Sequence, residues 1–189
     1  MRISGSMSVY KPTKLDLQNA LDRTTEDLLD HDLKVLFCGI NPGLYSAATG
    51  FHFARPGNRF WKVLHLAGFT DRQIDPSDEH ELLAMGYGIT SLVGRTTARA
   101  DQLTVEEYVR GGQVVVSKIK KFRPRTVAFL GIGAYRSAFG KPTAKTGLQP
   151  EQILDSRIWL LPNPSGLNAN YQIDDLVNLF SQMRTSLPL

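Results

Sequence analysis

The chain holds a single cysteine, Cys38, among its 189 residues. One thiol excludes an intrachain disulfide and any Cys₄ zinc or iron–sulfur centre. The four histidines, His31, His52, His65 and His80, are scattered with no His-x-x-x-His pair, so neither a metal site nor a cofactor is expected. No apolar run nears the ~18 residues a membrane helix needs, and the N-terminus has no signal-peptide core. No membrane partner is expected, and a cytoplasmic location is. Internal repeats and low-complexity tracts are missing too. Gly131-Ile132-Gly133 lacks the third glycine of a dinucleotide fingerprint, and close packing of a strand on a helix is its simpler meaning. Cys38 lies in an apolar run and reads as a small buried hydrophobe.

What is present fits one soluble domain. The hydrophobic share of 42% and charged share of 21% are ordinary, and the length suits a single core. Met1–Ser6 ahead of Met7 reads as an appended scar before a native start. Residues 1–10 are therefore expected to be a disordered leader and 11–189 the domain. The net charge of +4 suits a polyanionic partner. The densest basic run, Lys118, Lys120, Lys121, Arg123 and Arg125, closes a predicted helix. There it either complements the helix dipole or contacts phosphate.

Apolar periodicity predicts helices over about 13–30, 58–67, 77–85, 105–122, 132–139 and 172–186. Ser77 is the expected N-cap of the third, and Thr104 with Glu107 forms a capping box for the fourth. The Gly111-Gly112 pair inside that helix marks a weak point or a bend. Strands are expected at 33–40, 89–93, 127–130 and 157–161, with loops at 41–57 and 140–156. Helices alternate with strands throughout, and the strands at 33–40, 127–130 and 157–161 are near-continuously apolar. This predicts an α/β fold: a three-layer α/β/α sandwich around a central, mainly parallel four-stranded sheet.

Two turns stand out. Gly39-Ile40-Asn41-Pro42-Gly43 follows the first strand, and Leu161-Pro162-Asn163-Pro164-Ser165-Gly166-Leu167 follows the fourth. Ligands of open α/β sheets bind at the carboxyl ends of strands, so two rigid polar turns there point to one site. Asn41, stiffened by Pro42 and Gly43, can hold a water in one orientation, although it cannot take a proton. As an alternative, it caps its own loop as an Asx turn.

The loop that follows reads Thr49-Gly50-Phe51-His52-Phe53-Ala54-Arg55-Pro56-Gly57-Asn58-Arg59-Phe60-Trp61-Lys62. With the two turns, and in the same order, it resembles the mismatch-specific uracil-DNA and thymine-DNA glycosylases of the uracil-DNA glycosylase superfamily, over roughly residues 33–186. The resemblance implies hydrolysis of the N-glycosidic bond of uracil, thymine or etheno-cytosine opposite guanine in double-stranded DNA. The enzyme would be monofunctional, a bacterial-type nucleoid protein acting as a monomer. By the same resemblance Asn41 orients the water and Phe53 stacks on the extruded base. Gly39, Ile40 and Pro42 complete the base pocket, with Ser46 and His52 at its rim. Asn163, Pro164, Ser165, Gly166, Leu167 and Asn168 form a wedge loop, with Leu167 filling the space left by the base. Core roles for Phe53 and Leu167 are the competing readings. Other branches of the superfamily place a histidine where this chain has Asn163, so one electrostatic contributor to base departure is missing. The basic residue that often follows the wedge is absent as well.

A water held by Asn41 still needs a proton acceptor. Asp101, in the polar segment after the second strand, is the carboxylate best placed by sequence, and an exposed ion pair with Arg95 or Arg99 is its alternative role. Two rival functions fit the same turns: a lesion-binding protein that cuts nothing, and a hydrolase of free nucleosides.

Overall fold

The computed structural model describes residues 11–188; the leader expected at 1–10 lies outside them. Five strands form one sheet: β1 (Val35–Gly39), β2 (Tyr87–Ser91), β3 (Thr126–Leu130), β4 (Gly147–Ile153) and β5 (Ser156–Leu161), in the order β2-β1-β3-β5-β4. All pairings are parallel except β4 with β5.

Alternation along each strand divides the core. Val35 and Phe37 of β1, Ala128 and Leu130 of β3, and Trp159 and Leu161 of β5 face one layer. Leu36 and Cys38, Val127 and Phe129, and Ile158 and Leu160 face the other. The first layer is built by α3 (Phe60–Leu66), α4 (Glu81–Ala84) and α7 (Ile173–Thr185), and the second by α5 (Val105–Phe122) and α6 (Ile132–Phe139). The expected sandwich therefore stands. Phe37 anchors the first layer, with Phe60, Phe69 and Tyr87 edge-on and Phe180 stacked.

The sheet has one strand more than expected. β4 occupies a stretch read as loop because it is a polar edge strand, Gly-Leu-Gln-Pro-Glu-Gln-Ile, with no apolar run and a proline that only an edge tolerates. Three further expectations are corrected. The helix expected over 13–30 is only α1 (Lys14–Asn19); Asp22 turns at φ 61°, and Leu28 runs extended to bridge Ile89. The loop after β1 contains α2 (Leu44–Thr49), bracketed by Gly43 and a left-handed Gly50. Near residue 77 the chain forms a 3₁₀ turn, Pro76–Asp78, capped by Asp75 rather than Ser77. The Gly111-Gly112 pair serves packing. A Cβ on Gly111 would stand 2.2 Å from the Leu92 carbonyl oxygen, and one on Gly112 would stand 3.0 Å from that of Ala138.

The topology locates the site. The β1–β2 connection runs through the first layer and the β2–β3 connection through the second. Strand order thus reverses between β1 and β3, which opens a crevice at their carboxyl ends. Among the described residues no helix is long and apolar enough to cross a membrane.

Candidate active site

Asn41 stands two residues past β1, and its side chain is fixed by a directional chain of hydrogen bonds. Its Nδ2 lies 3.0 Å from the Arg95 carbonyl oxygen and 2.7 Å from Thr97 Oγ1. A carbonyl only accepts, so the nitrogen must be on that side. The Thr97 hydroxyl donates its one proton to the Arg99 carbonyl at 2.8 Å, so toward Asn41 it accepts. Both amide protons are then committed, and Oδ1 is left to accept from a water in the cleft. Thr97 N–H also bonds the Pro42 carbonyl at 3.3 Å, and Gly43 and Thr97 form a parallel bridge.

The segment carrying Thr97 is itself anchored. Arg95 Nε lies 2.6 Å and its second terminal nitrogen 3.0 Å from the Glu107 carboxylate, and Arg95 also reaches Asp22 at 3.2 Å. Glu107 is the third residue of α5 and closes the capping box with Thr104. The hydrogen bonds from Arg95, then from the Thr104 amide, hold its carboxyl down at about 2.

Phe53 forms a wall of the cleft. Its backbone is left-handed, at φ 53°, and its ring stacks on Phe60 with centroids 4.1 Å apart. Gly39 permits this, because a Cβ there would lie 3.2 Å from Phe53 Cζ. The half-buried ring therefore packs on the core and also lines the cleft. His52 is buried beside it. The His52 amide donates to Glu79 Oε2 at 2.7 Å, Nδ1 lies 3.1 and 3.2 Å from the two carboxyl oxygens, and Trp61 Nε1 donates to the His52 carbonyl.

The loop after β5 is tied to itself and to α3. Asn163 Oδ1 accepts the Ser165 amide, Ser165 Oγ accepts the Leu167 amide, and Asn168 Nδ2 donates to the Asn163 carbonyl. Arg59, at the N-cap of α3, spans the loop. Its guanidinium reaches the carbonyls of Pro164, Ser165, Asn168 and Tyr171 at 2.6–3.2 Å. Gly166 lies so close to Gly57 that a Cβ would be 2.5 Å from its carbonyl oxygen. Leu167 projects from this pedestal with 65% of its surface exposed.

These parts enclose a cleft of about 140 Å³ lined by Gly39, Ile40, Asn41, Pro42, Ser46, His52, Phe53, Asn163, Ser165 and Leu167, with Thr97–Ala100 along one rim. That is well under the several hundred Å³ of a drug-sized ligand site and on the scale of one ring. Of the expected site residues, Pro164, Gly166 and Asn168 shape the loop and do not line the cleft. Asp101 does not line it either. It follows the lining residue Ala100, is 64% exposed at the side chain, and pairs with Arg99 at 2.9 Å. A larger cavity of about 540 Å³ lies at the amino ends of β3 and β5, among Arg123, Arg125 and Arg157, and neither turn reaches it.

The sequence assigns no role to Thr97, Glu79 or Arg59, and it offers Arg95 only as an ion-pair partner of Asp101, whereas Arg95 pairs with Glu107 and Asp22. Only Arg59 left a local signal: a cation at a helix N-cap opposes the dipole, so its reason for being there is tertiary.

A model of the uracil DNA glycosylase superfamily matches residues 26–184. Among solved structures, the chain is similar to the solution structure of a candidate uracil DNA glycosylase from Methanosarcina acetivorans. The two are 18% identical, the alignment covers 86% of this chain and 98% of the other, and the TM-score is 0.59. At that identity the likeness speaks for the fold.

Proposed function

The chain belongs to the uracil DNA glycosylase superfamily, and from that premise we propose that it excises uracil mispaired with guanine from double-stranded DNA. The observation that carries this reading is the fixed amide of Asn41. With both protons committed to Arg95 and Thr97, Oδ1 orients a water at the foot of a ring-sized cleft. Leu167 stands exposed at the same cleft, placed to enter the stack from which a base has left.

The reaction runs as follows. The base is extruded, Phe53 stacks against it, and the N1–C1′ bond breaks with its electron pair going to the base. The water held by Asn41 bonds to C1′ of the cationic sugar. Its proton goes to Asp101, which leaves its pair with Arg99. An exposed pair of this kind holds by only about 0–1 kcal/mol, so releasing it is cheap. With Asn163 in place of a histidine, the leaving base has less help, which favours a weakly paired, easily extruded substrate such as uracil opposite guanine. Thymine and etheno-cytosine opposite guanine are the next substrates to examine, since one methyl group shifts discrimination by only ~1–3 kcal/mol.

Single-turnover assays on duplexes carrying uracil, thymine or etheno-cytosine opposite guanine, and on uracil in single strands, test the proposal. Alkali-labile abasic sites from the uracil–guanine duplex are the expected result. Tight lesion binding without abasic sites would make the protein a recognition module, and release of uracil from free deoxyuridine would make it a nucleoside hydrolase.

A further inference from the structure

The basic run at the end of α5 could complement the helix dipole or contact phosphate, and the fold divides it. Lys118 pairs with Asp27 at 2.6 Å, and Lys121 lies over the Phe122 ring, 4.9 Å from its centroid. Lys120, Arg123 and Arg125 line the cavity of about 540 Å³ at the amino ends of β3 and β5, where Arg157 joins them. A helix dipole accounts for cations in the last turn. It does not account for Arg125, which directly precedes β3, or for Arg157 in β5. The backbone sets those two side by side, since the Arg157 amide donates to the Arg125 carbonyl at 3.0 Å. Arg157 Nη1 donates to the Ser186 carbonyl at 2.5 Å, which anchors the guanidinium and leaves the rest of its donors for other use. Asp32 and Asp155 line the same cavity, yet among the described residues Lys120, Arg123 and Arg157 form no ion pair. Like charges gathered without partners repel, and an anion in the cavity would offset that cost.

We propose that this cavity binds a nucleoside monophosphate, with Arg123 and Arg157 on the phosphate. A guanidinium presents its N–H groups in a fork that matches phosphate oxygens. The volume exceeds what a phosphate ion fills and falls in the range of sites for small organic ligands. The rest of the lining suits a nucleoside. Ile119, Pro124 and Leu154 offer apolar surface to a ring, and Asp32, Asp155 and the Gln152 carboxamide can accept from hydroxyl or amino groups. The two carboxylates count against a polyanion, because a DNA backbone or an acidic peptide would bring charge against them as well as against the cations. DNA docked at the cleft does not reach the cavity. The strands between them, β3 and β5, are 5 and 6 residues long at about 3.3 Å per residue, and the two openings lie at opposite ends of the sheet. No step of the glycosylase reading passes through this cavity.

Calorimetry and ¹H–¹⁵N NMR on the full chain test this with AMP, UMP, dAMP and dUMP, each compared with its free nucleoside and with inorganic phosphate. At least one monophosphate should bind one-to-one, about tenfold or more tighter than either of its parts, and should shift amides within residues 119–125 and 152–157. Arg123→Gln changes an exposed side chain far from the cleft. It should weaken that binding about tenfold and leave uracil excision as in wild type. No binding of any monophosphate at millimolar concentration overturns the proposal, and so does affinity unchanged by Arg123→Gln. Binding no tighter than that of inorganic phosphate overturns it too, leaving a bare anion site. Shifts confined to residues 39–55 would put the nucleotide in the cleft and would equally sink it. A lesion-free duplex that moves residues 119–125 where the monophosphates do not would replace it with a second DNA contact. Binding is read here without turnover, so a wild type that makes no abasic sites ends the glycosylase reading and leaves each of these outcomes as stated.

Discussion

The turn after β1 and the turn after β5 share the dipeptide Asn-Pro and put it to different use. At Asn41 the side chain is what is held: two hydrogen bonds from Nδ2 fix the amide, and a segment anchored by Arg95 and Glu107 supplies the acceptors. At Asn163 the side chains are consumed in folding the loop, and Arg59 binds four of its carbonyls. The product there is a stiff backbone carrying one apolar side chain, Leu167, that nothing else covers. On the proposed reading, the group that places a water to within fractions of an ångström is immobilised at its tip, and the group that enters a base stack has a firm base and a free end.

The comparison breaks most visibly at Asn41. Asn41→Ala should lower single-turnover excision by about 10³-fold while duplex binding, read by gel shift, stays within about twofold. A near wild-type rate would move the positioning of water elsewhere. Asp101→Asn should follow, with a loss on the order of 10² and disappearance of the acid limb of the rate profile, since a base is lost as pH falls through its titration. If rate and limb both persist, bulk water takes the proton.

At the other turn the effects should be smaller and depend on the duplex. Leu167→Ala should cost about tenfold on a mismatched duplex and less on a single strand, where there is no partner base and little stacking. 2-Aminopurine fluorescence next to the lesion reads the same change as reduced extrusion. Gly166→Ala attacks the pedestal instead of the tip. Its Cβ would meet the Gly57 carbonyl at 2.5 Å, so it should lower stability by about 1–3 kcal/mol in urea unfolding and impair extrusion as Leu167→Ala does. Wild-type behaviour would mean that the loop has slack.

The smallest effect concerns the anchor of the Asn41 side alone. The folded-state carboxyl of Glu107 is lowered from 4.5 to about 2. Its contribution to stability is therefore complete above the unfolded value near 4.5 and is lost as pH falls toward 2. Wild type should exceed Glu107→Gln in urea midpoint at pH 7, with the gap closing by pH 2.5. A gap that is constant with pH would assign the difference to packing.

How much of this was legible follows from how far each signal reaches. β1, β3 and β5 announce themselves because burial on both faces leaves unbroken apolar runs, and α5 because its capping box is local. β4 is hidden because an edge strand needs backbone pairing and no apolar face. At the site, the residues that face the cleft sit in compact turns and were readable. Their supports were not, because Asn41 and Thr97 are 56 residues apart, and Arg59 and Ser165 are 106 apart. Apart from the cation at the N-cap of α3, nothing in a short window marks such partners. Asp101 lies in the segment expected for it, with its side chain on Arg99 and outside the lining; Asp101→Asn decides between a base and an ion pair.

The prolines that stiffen the two turns bear also on how the protein ages. Asparagine deteriorates in solution when the backbone nitrogen of the next residue attacks the side-chain amide, which closes a succinimide that opens to aspartate or isoaspartate. That attack needs an N–H on the following residue, and proline has none. At position 41 the change would replace Nδ2, the donor to Arg95 and Thr97, with a carboxylate oxygen facing two acceptors. At position 163, on the proposed reading, it would put a negative charge beside the approaching phosphate backbone. Pro42 and Pro164 close this route at both positions.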